Sequence, residues 1–153
     1  NEYLDTYAAI GAWRCQRCPL GAYCRGEYTT WNEVKAMFGY WRHEAGDKVS
    51  NFTRCVFPPA CLGAPNPEFQ GQFVNDSGVD VAMIDGPEMC AEEIGYSVRC
   101  EGDGAPRCRL CATCRDGFKR RLMDGMARCD VCPPSETNRW AIVGGFVVAL
   151  GLL

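Results

Sequence analysis

Apolar residues follow a helical spacing most clearly over residues 30–39. Thr30 and Glu33 stand three positions apart, as in a capping box, where a hydroxyl and a carboxylate satisfy the first free amides of a helix. Four apolar side chains would then share one face: Trp31, Val34, Met37 and Phe38. Gly39 suits the left-handed residue that ends a helix. The pattern predicts one short helix near 31–38 that packs on the first group of cysteines, with an exposed binding stripe as the alternative.

Other apolar segments before residue 140 are short, and Gly and Pro interrupt them. Four of them are strand candidates: 72–74, 79–84, 96–99 and 118–122. Runs of this length bounded by turn residues predict short β-hairpins. We also expect Trp41 and Phe57 to pack around the loop between Cys55 and Cys61.

The chain ends in an apolar run at 140–153, with no charged residue after Arg139. As a helix, this run would rise roughly 21 Å, which is less than the ~30 Å hydrocarbon core of a bilayer. We therefore expect the beginning of a C-terminal transmembrane helix, with Trp140 as its interfacial anchor. Small residues recur every fourth position at Ala141, Gly145 and Ala149. Such a stripe lets membrane helices approach closely.

Twelve cysteines occur in 153 residues, and we expect all of them to form disulfides. They are Cys15, Cys18, Cys24, Cys55, Cys61, Cys90, Cys100, Cys108, Cys111, Cys114, Cys129 and Cys132. A dense, even set is typical of small scaffolds of oxidising compartments, where cross-links replace a large apolar core. The predicted fold class is small and disulfide-rich: irregular with short β-hairpins, one short helix and the start of a transmembrane helix.

Zinc is the strongest alternative to disulfides in the last part of this set. Cys111, Cys114, Cys129 and Cys132 form two Cys-x2-Cys pairs with a spacing close to that of a zinc ribbon. The other eight cysteines and the apolar end favour the outside of the cell, so we expect crossed bridges, Cys111 with Cys129 and Cys114 with Cys132. A redox site at Cys111 would need a βαβ context that the pattern lacks.

Charge and the remaining motifs exclude several function classes. The net charge is −3, which disfavours nucleic-acid binding although basic residues cluster at 119–121. His43 is the only histidine, and we expect a surface position for it and no catalytic site. The oxygen-rich segment 75–80 lacks the alternating ligands of a calcium-binding EF-hand loop and predicts a solvated turn. Metals and other cofactors are therefore not expected.

Two sequons predict N-linked glycans, one at Asn51 and one at Asn75, each followed two positions later by Thr or Ser. Glycans at these positions require that residues 1–139 lie on the extracellular or lumenal side. This side agrees with the density of cysteines.

The cysteine blocks resemble known ectodomain modules. The block Cys15-x2-Cys18-Pro-x-Gly-x-Tyr-Cys24 is similar to the cysteine-rich repeats of ephrin-receptor-like and TNF-receptor-like modules. The later blocks, including Cys108-x2-Cys111-x2-Cys114, resemble EGF- or laminin-like juxtamembrane modules of large algal and protist membrane proteins. In those proteins a final Cys-x2-Cys-Pro runs into a transmembrane helix. The resemblance covers roughly residues 15–145 and implies a surface or adhesion role, sometimes ahead of polycystin-like or TRP-like channel domains.

These observations divide the chain into six segments. They are an N-terminal connector at 1–14, a first cysteine-rich module at 15–65, a cysteine-free insertion at 66–89, an EGF-like cysteine-rich module at 90–134, a hinge at 135–139 and the transmembrane helix at 140–153.

The predicted function is that of a non-enzymatic, extracellular structural or protein-interaction module of a larger membrane protein. It would act as a disulfide-stiffened stalk next to the membrane. The alternative is the juxtamembrane ectodomain of a multi-pass, polycystin- or TRP-like channel or receptor. The expected partners are the membrane, through the C-terminal helix, and other extracellular or membrane subunits, but no nucleic acid.

Overall fold

Short antiparallel hairpins and single 3-10 turns make up the regular structure of the described residues. A computed structural model describes residues 2–6, 11–26, 29–43, 51–97, 109–123 and 126–134. The strands of this part are β1 (Glu2–Asp5), β2 (Arg14–Arg17), β3 (Ala22–Tyr23), β4 (Lys35–Ala36), β5 (Tyr40–His43), β6 (Asn51–Arg54), β7 (Phe118–Met123) and β8 (Met126–Val131). They pair antiparallel in order: β1 with β2, β3 with β4, β5 with β6 and β7 with β8. The predicted disulfide-rich fold with short hairpins is therefore confirmed.

The 3-10 turns lie between the strands, and each has three residues. They span Trp31–Glu33, Pro58–Ala60, Pro67–Phe69, Val81–Met83, Glu92–Ile94 and Arg109–Cys111. Two begin at prolines, whose fixed φ suits the first helical position.

The prediction of a helix near 31–38 is wrong. A single 3-10 turn covers Trp31–Glu33, Val34 is extended, and strand β4 follows at once. The reason is tertiary: Trp31 and Val34 belong to one apolar cluster, whereas Phe38 belongs to another. Side chains on one face of a helix could not pack into two separate clusters, so tertiary packing overrides the local preference for a helix.

The predicted capping contacts form even though the helix does not. The backbone amide and the hydroxyl of Thr30 both donate to Glu33 Oε2, at 2.8 and 3.1 Å. Both hydrogen bonds stabilise the carboxylate and lower the pKa of Glu33 from its ordinary value. The capping signature therefore marks a turn that ends after three residues.

The strand candidates have different outcomes. Segment 118–122 is confirmed as β7. Segments 72–74 and 79–84 meet only in an isolated bridge between Val74 and Asp80, and the second continues as a 3-10 turn. In segment 96–99, Tyr96 forms an isolated bridge with Cys114, and residues 98 and 99 lie outside the described residues.

Three small clusters form the core in the part of the chain that the structure describes. Cluster 1 contains Cys55, Ala60, Cys61, Cys90, Tyr96, Cys111 and Cys129. Cluster 2 contains Ala22, Cys24, Trp31 and Val34, and cluster 3 contains Phe38, Tyr40, Phe69 and Ala82. Trp41 and Phe57 pack against cluster 1, as the sequence predicted. Cysteine sulfurs and aromatic rings thus replace the aliphatic side chains that dominate larger cores.

A buried asparagine holds the loops around cluster 3. Asn66 is 1 % exposed, and its Nδ2 donates to the carbonyl of Phe38 at 2.8 Å. Its amide donates to the carbonyl of Ala82, and its Oδ1 accepts from the amide of Glu68. The side chain and the backbone of Asn66 together therefore join its own loop to the segments of Phe38 and Ala82, and these buried polar groups are satisfied.

Candidate functional site: disulfide framework and basic hairpin

Four disulfides close loops in the described residues. They join Cys18 to Cys24, Cys55 to Cys61, Cys90 to Cys111, and Cys114 to Cys129. The first two close six-residue separations, and the others close separations of 21 and 15 residues. Disulfides and the richness in cysteine are therefore confirmed, and they indicate an extracellular or lumenal location.

The predicted crossed pairing of the last four cysteines is wrong. Cys111 is bonded to Cys90, and Cys129 is bonded to Cys114. Cys111 lies in cluster 1 beside Cys61 and Cys90, so its partner comes from an earlier segment. Cys132 comes after the end of β8 and is exposed. Three of the four residues of the zinc-ribbon spacing thus lie in disulfides.

Cys15 and Cys132 are exposed free thiols in the described part of the chain, contrary to the prediction that every cysteine is paired. Cys15 lies on β2, where it pairs in register with Leu4. The amide of Cys132 donates to the carbonyl of Gly117 at 2.8 Å. The predicted disulfide residues Cys100 and Cys108 lie outside the described residues.

Alkylation of the native, unreduced chain should therefore label Cys15 and Cys132. The eight cysteines of the four bridges should react only after reduction, because a disulfide sulfur is not a nucleophile. Peptide mapping by mass spectrometry measures this, and a Cys15→Ser/Cys132→Ser variant is the control for assignment. Labelling of Cys114 or Cys129 before reduction would contradict the pairing.

Tyr96 connects the last disulfide to cluster 1. Its ring stacks on Phe57 with a centroid distance of 6.0 Å, and its Oη accepts a hydrogen bond from the amide of Cys129 at 3.2 Å. Burial raises the pKa of Tyr96 above its ordinary value of 10.0, against the opposing effect of that hydrogen bond. Since the folded state holds the phenol proton more tightly, this contribution to stability is present below about pH 10 and is lost as the pH rises through the raised pKa.

The β7–β8 hairpin carries different side chains on its two sides. Phe118 and Cys129 point to cluster 1, and side chains alternate along each strand. Lys119 pairs with Asp130, and Arg121 pairs with Arg128. Because side chains alternate, the side chains of these two pairs lie on the side of the hairpin opposite to Phe118 and Cys129, which faces away from cluster 1. We call Lys119, Arg121 and Arg128 the cationic face.

Among the described residues of the hairpin, the carboxylate of Asp130 lies on the same side as the three cations. Arg128 Nε lies 3.2 Å from Asp130 Oδ1, and the side chain of Arg128 is 42 % exposed. Lys119 and Arg121 are exposed. The basic cluster at 119–121 is visible in the sequence, but the contribution of Arg128 is not, because it depends on the register of the hairpin.

The sequon residues occupy different local structures. Asn75 lies in a closed turn, where its Oδ1 accepts from the amides of Ser77 and Val79 at 3.1 and 2.9 Å. Asn51 lies on β6, in register with His43 on β5. Both asparagines are exposed, so either side chain can be reached from solvent.

The oxygen-rich turn at 75–80 uses its oxygens for the backbone. Asp80 accepts hydrogen bonds from the amides of Gly71 and Ala82. The structure thus gives this segment the form of a hydrogen-bonded turn. Across the described residues, no group of three or more His, Cys, Asp or Glu side chains is placed to hold a metal ion.

The membrane prediction falls on residues that the structure does not describe. Trp140, Gly145 and Ala149 all lie outside the described residues. Within the described ranges there is no helix with the length and apolar character needed to cross a bilayer.

Comparison of the chain with protein-family models, with curated proteins and with solved structures found no match. The arrangement of disulfides, core and hairpins is therefore the basis for assigning a function.

Proposed function

We propose that the chain is a non-enzymatic structural and protein-interaction module on the extracellular or lumenal side of a larger membrane protein. One observation supports this most: cluster 1 of the core consists mostly of disulfide-bonded cysteines. Five of the seven buried residues of cluster 1 are disulfide-bonded cysteines: Cys55, Cys61, Cys90, Cys111 and Cys129. Such a core requires an oxidising compartment to form.

Rigidity would be the physical basis of the role. Each cross-link restricts the unfolded chain and stabilises the fold by about 2–4 kcal/mol. Bridges, hairpins and the Asn66 hydrogen bonds are distributed along the chain, so no long described segment is without a tertiary restraint. A module of this kind holds a neighbouring domain or subunit at a set distance from the membrane.

The apolar run at 140–153 supports attachment to the membrane, since it begins with an aromatic residue and carries no charge. Its stripe of small residues, Ala141, Gly145 and Ala149, favours contact with other membrane helices. The second candidate function therefore remains the juxtamembrane ectodomain of a multi-pass channel or receptor. The resemblance to EGF- or laminin-like and receptor-like modules supports both candidates.

Expression in eukaryotic cells behind a cleavable secretion signal tests the location and the attachment together. We expect the larger protein that contains this chain to remain in membranes after alkaline carbonate extraction, and the chain to lose mass on treatment with a peptide N-glycosidase. Glycans can be added to Asn51 or Asn75 only on the lumenal side. A soluble chain without glycans would contradict the proposal.

Matched variants assign the glycans without changing either asparagine. Ser77→Ala removes the sequon of Asn75, and Thr53→Ala removes that of Asn51. Each variant should lower the mass by one glycan, and the double variant should be unaffected by the glycosidase. A mass unchanged in both single variants would show that neither position is modified.

A further inference from the structure

Residues 73–81 form a closed loop around the second sequon, and we call them the Asn75 loop. Val74 and Asp80 pair across it as an isolated antiparallel bridge. At its tip, the amide of Gly78 donates to the carbonyl of Asn75 at 2.9 Å, and Gly78 has a φ angle of 76°. Asparagine at the first position and glycine at the fourth are typical of a tight turn. The loop itself therefore fixes the backbone at Asn75.

The side chain of Asn75 is held in one direction. Its Oδ1 accepts hydrogen bonds from the amides of Ser77 and Val79. An N-linked glycan is attached through the nitrogen of the same carboxamide, Nδ2, so both hydrogen bonds can persist after modification. The first sugar of a glycan would therefore leave the loop in a defined direction, and not from a freely rotating side chain.

Apolar side chains lie on the same side of the Asn75 loop as Asn75. Phe73 and Val81 both pack against cluster 3, so their side chains point to one side. Side chains alternate along each arm of the loop, and residues directly opposite each other share a side. Asn75 and Val79 are each two positions nearer to the tip, and the amide of Asn75 donates to the carbonyl of Val79. They consequently share the side of Phe73 and Val81.

Val79 exposes apolar surface directly beside the sequon, since it is 44 % exposed. Phe73 is partly buried, and its ring lies 5.8 and 5.6 Å from the rings of Phe38 and Phe69, measured between centroids. Opposite Cβ atoms are about 5 Å apart and alternate residues of one strand about 7 Å apart, so one sugar ring at Asn75 reaches both side chains. N-acetylglucosamine presents C–H groups on its ring faces and a methyl group, which suit an apolar surface.

The charge of this part of the chain favours a neutral group on the apolar surface. Residues 55–98 contain seven acidic residues and no Lys, Arg or His. An anionic lipid surface would repel this segment, so membrane contact does not account for the exposure of Val79. The first sugar of a glycan is uncharged, and its attachment to the same loop gives it a high effective concentration at this surface.

We propose that Asn75 carries an N-linked glycan whose first N-acetylglucosamine packs on Val79 and Phe73, so that the sugar becomes part of the fold. This rests on the proposed lumenal location, where the glycan is added. In that step Nδ2 of Asn75 bonds to the anomeric carbon of a lipid-diphosphate-linked oligosaccharide and loses one proton, and the bond from this carbon to the diphosphate oxygen breaks. At Asn51 the directly opposite residue is His43, so a glycan there lacks the equivalent apolar contact.

The test measures the effect of one sugar on stability. The full chain is secreted with Thr53→Ala, which leaves only the Asn75 sequon, and is kept in mild detergent. An endoglycosidase trims its high-mannose glycan to a single N-acetylglucosamine. The unmodified partner carries Ser77→Ala in addition, and it keeps the turn because Ser77 bonds Asn75 through its backbone amide. The sugar should raise the melting temperature by at least about 2 °C, the shift expected for covering roughly one methylene group in a chain of this length.

Two comparisons identify the contact. Val79→Ser removes the exposed apolar side chain, and in this background the sugar should raise the melting temperature by no more than about half as much. The matched control is a single sugar at Asn51 in the Ser77→Ala variant, whose effect should be the same with and without Val79→Ser. Nuclear Overhauser effects between protons of the Asn75 sugar and the methyl groups of Val79 give the contact directly.

The outcomes separate this inference from the proposed function. Absence of glycan from both sequons would contradict the proposed location together with the sugar contact. A glycan on Asn51 alone, or a sugar at Asn75 that fails either the stability or the Overhauser measurement, overturns the sugar contact and leaves the location standing. A shift of equal size in the Val79→Ser background also overturns it, because the sugar would then stabilise the chain without contacting Val79.

Discussion

Replacement of Cys90 and Cys111 together by alanine should lower the free energy of unfolding by at least about 3 kcal/mol. The bridge closes a separation of 21 residues, and the chain-entropy relation gives about 3 kcal/mol for a loop of this length. Both cysteines are also buried, at 0 % and 1 % exposure, so the lost sulfurs leave unfilled space in cluster 1. Urea denaturation monitored by tryptophan fluorescence measures the loss.

The Cys55→Ala/Cys61→Ala variant is the matched control. These cysteines lie in the same cluster at 3 % and 0 % exposure, but their bridge closes a separation of only six residues. Loss of packing is therefore similar, and the shorter loop should make this variant less unstable than the first by about 1 kcal/mol. If the control variant lost as much free energy of unfolding as the first variant, or more, the length of the closed loop would not explain the contribution of the Cys90–Cys111 bridge.

The pairing of the cysteines, and therefore the length of the loop that each bridge closes, could not be predicted from the sequence. Cysteine number and density predicted a disulfide-rich fold, because a chain with short apolar segments needs cross-links. The partner of Cys111, however, depends on which segments meet in cluster 1, and that contact joins residues far apart in the chain. Spacing alone favoured Cys129 as the partner, which was wrong.

Local sequence patterns predicted the structure of those segments whose conformation depends on residues close to them in the chain. The β7 strand could be recognised because residues 118–122 form a short run bounded by turn residues, with Gly117 before it. The helix near 31–38 was wrong because Trp31 and Phe38 pack in different clusters, and no local pattern contains that information. Likewise, residues 119–121 were recognisable as basic, but the cationic face required the pairing of Arg121 with Arg128.

Alanine substitutions at two glycines beside the β7–β8 hairpin can distinguish the cost of backbone strain from the cost of steric overlap. Gly95 and Gly117 have φ angles of 91° and 84°, in the left-handed region that favours glycine. Apart from its two chain neighbours, a Cβ added at Gly117 would meet no atom within 4 Å, whereas one at Gly95 would overlap the ring of Phe118. Alanine costs about 1–2 kcal/mol at either position through its φ angle.

Gly95→Ala should therefore be the more destabilising change, with a total loss of about 2–5 kcal/mol, because overpacking adds about 1–3 kcal/mol to the backbone strain. The ring of Phe118 packs against cluster 1, and the carbonyl of Gly95 accepts from the amide of Arg115, so neither side can move freely. Urea denaturation of both variants gives the difference directly.

A double-mutant cycle with Phe118→Leu tests the assigned cause. If the overlap with the ring is responsible, Gly95→Ala should be less destabilising in the Phe118→Leu background, whereas Gly117→Ala should have the same effect in both backgrounds. Equal effects of Gly95→Ala in both backgrounds would assign the whole loss to the backbone. In that case the contact between Gly95 and Phe118 would not hold the hairpin against cluster 1. The hairpin would instead be held there by the Cys114–Cys129 bridge and by the hydrogen bond from the Cys129 amide to Tyr96.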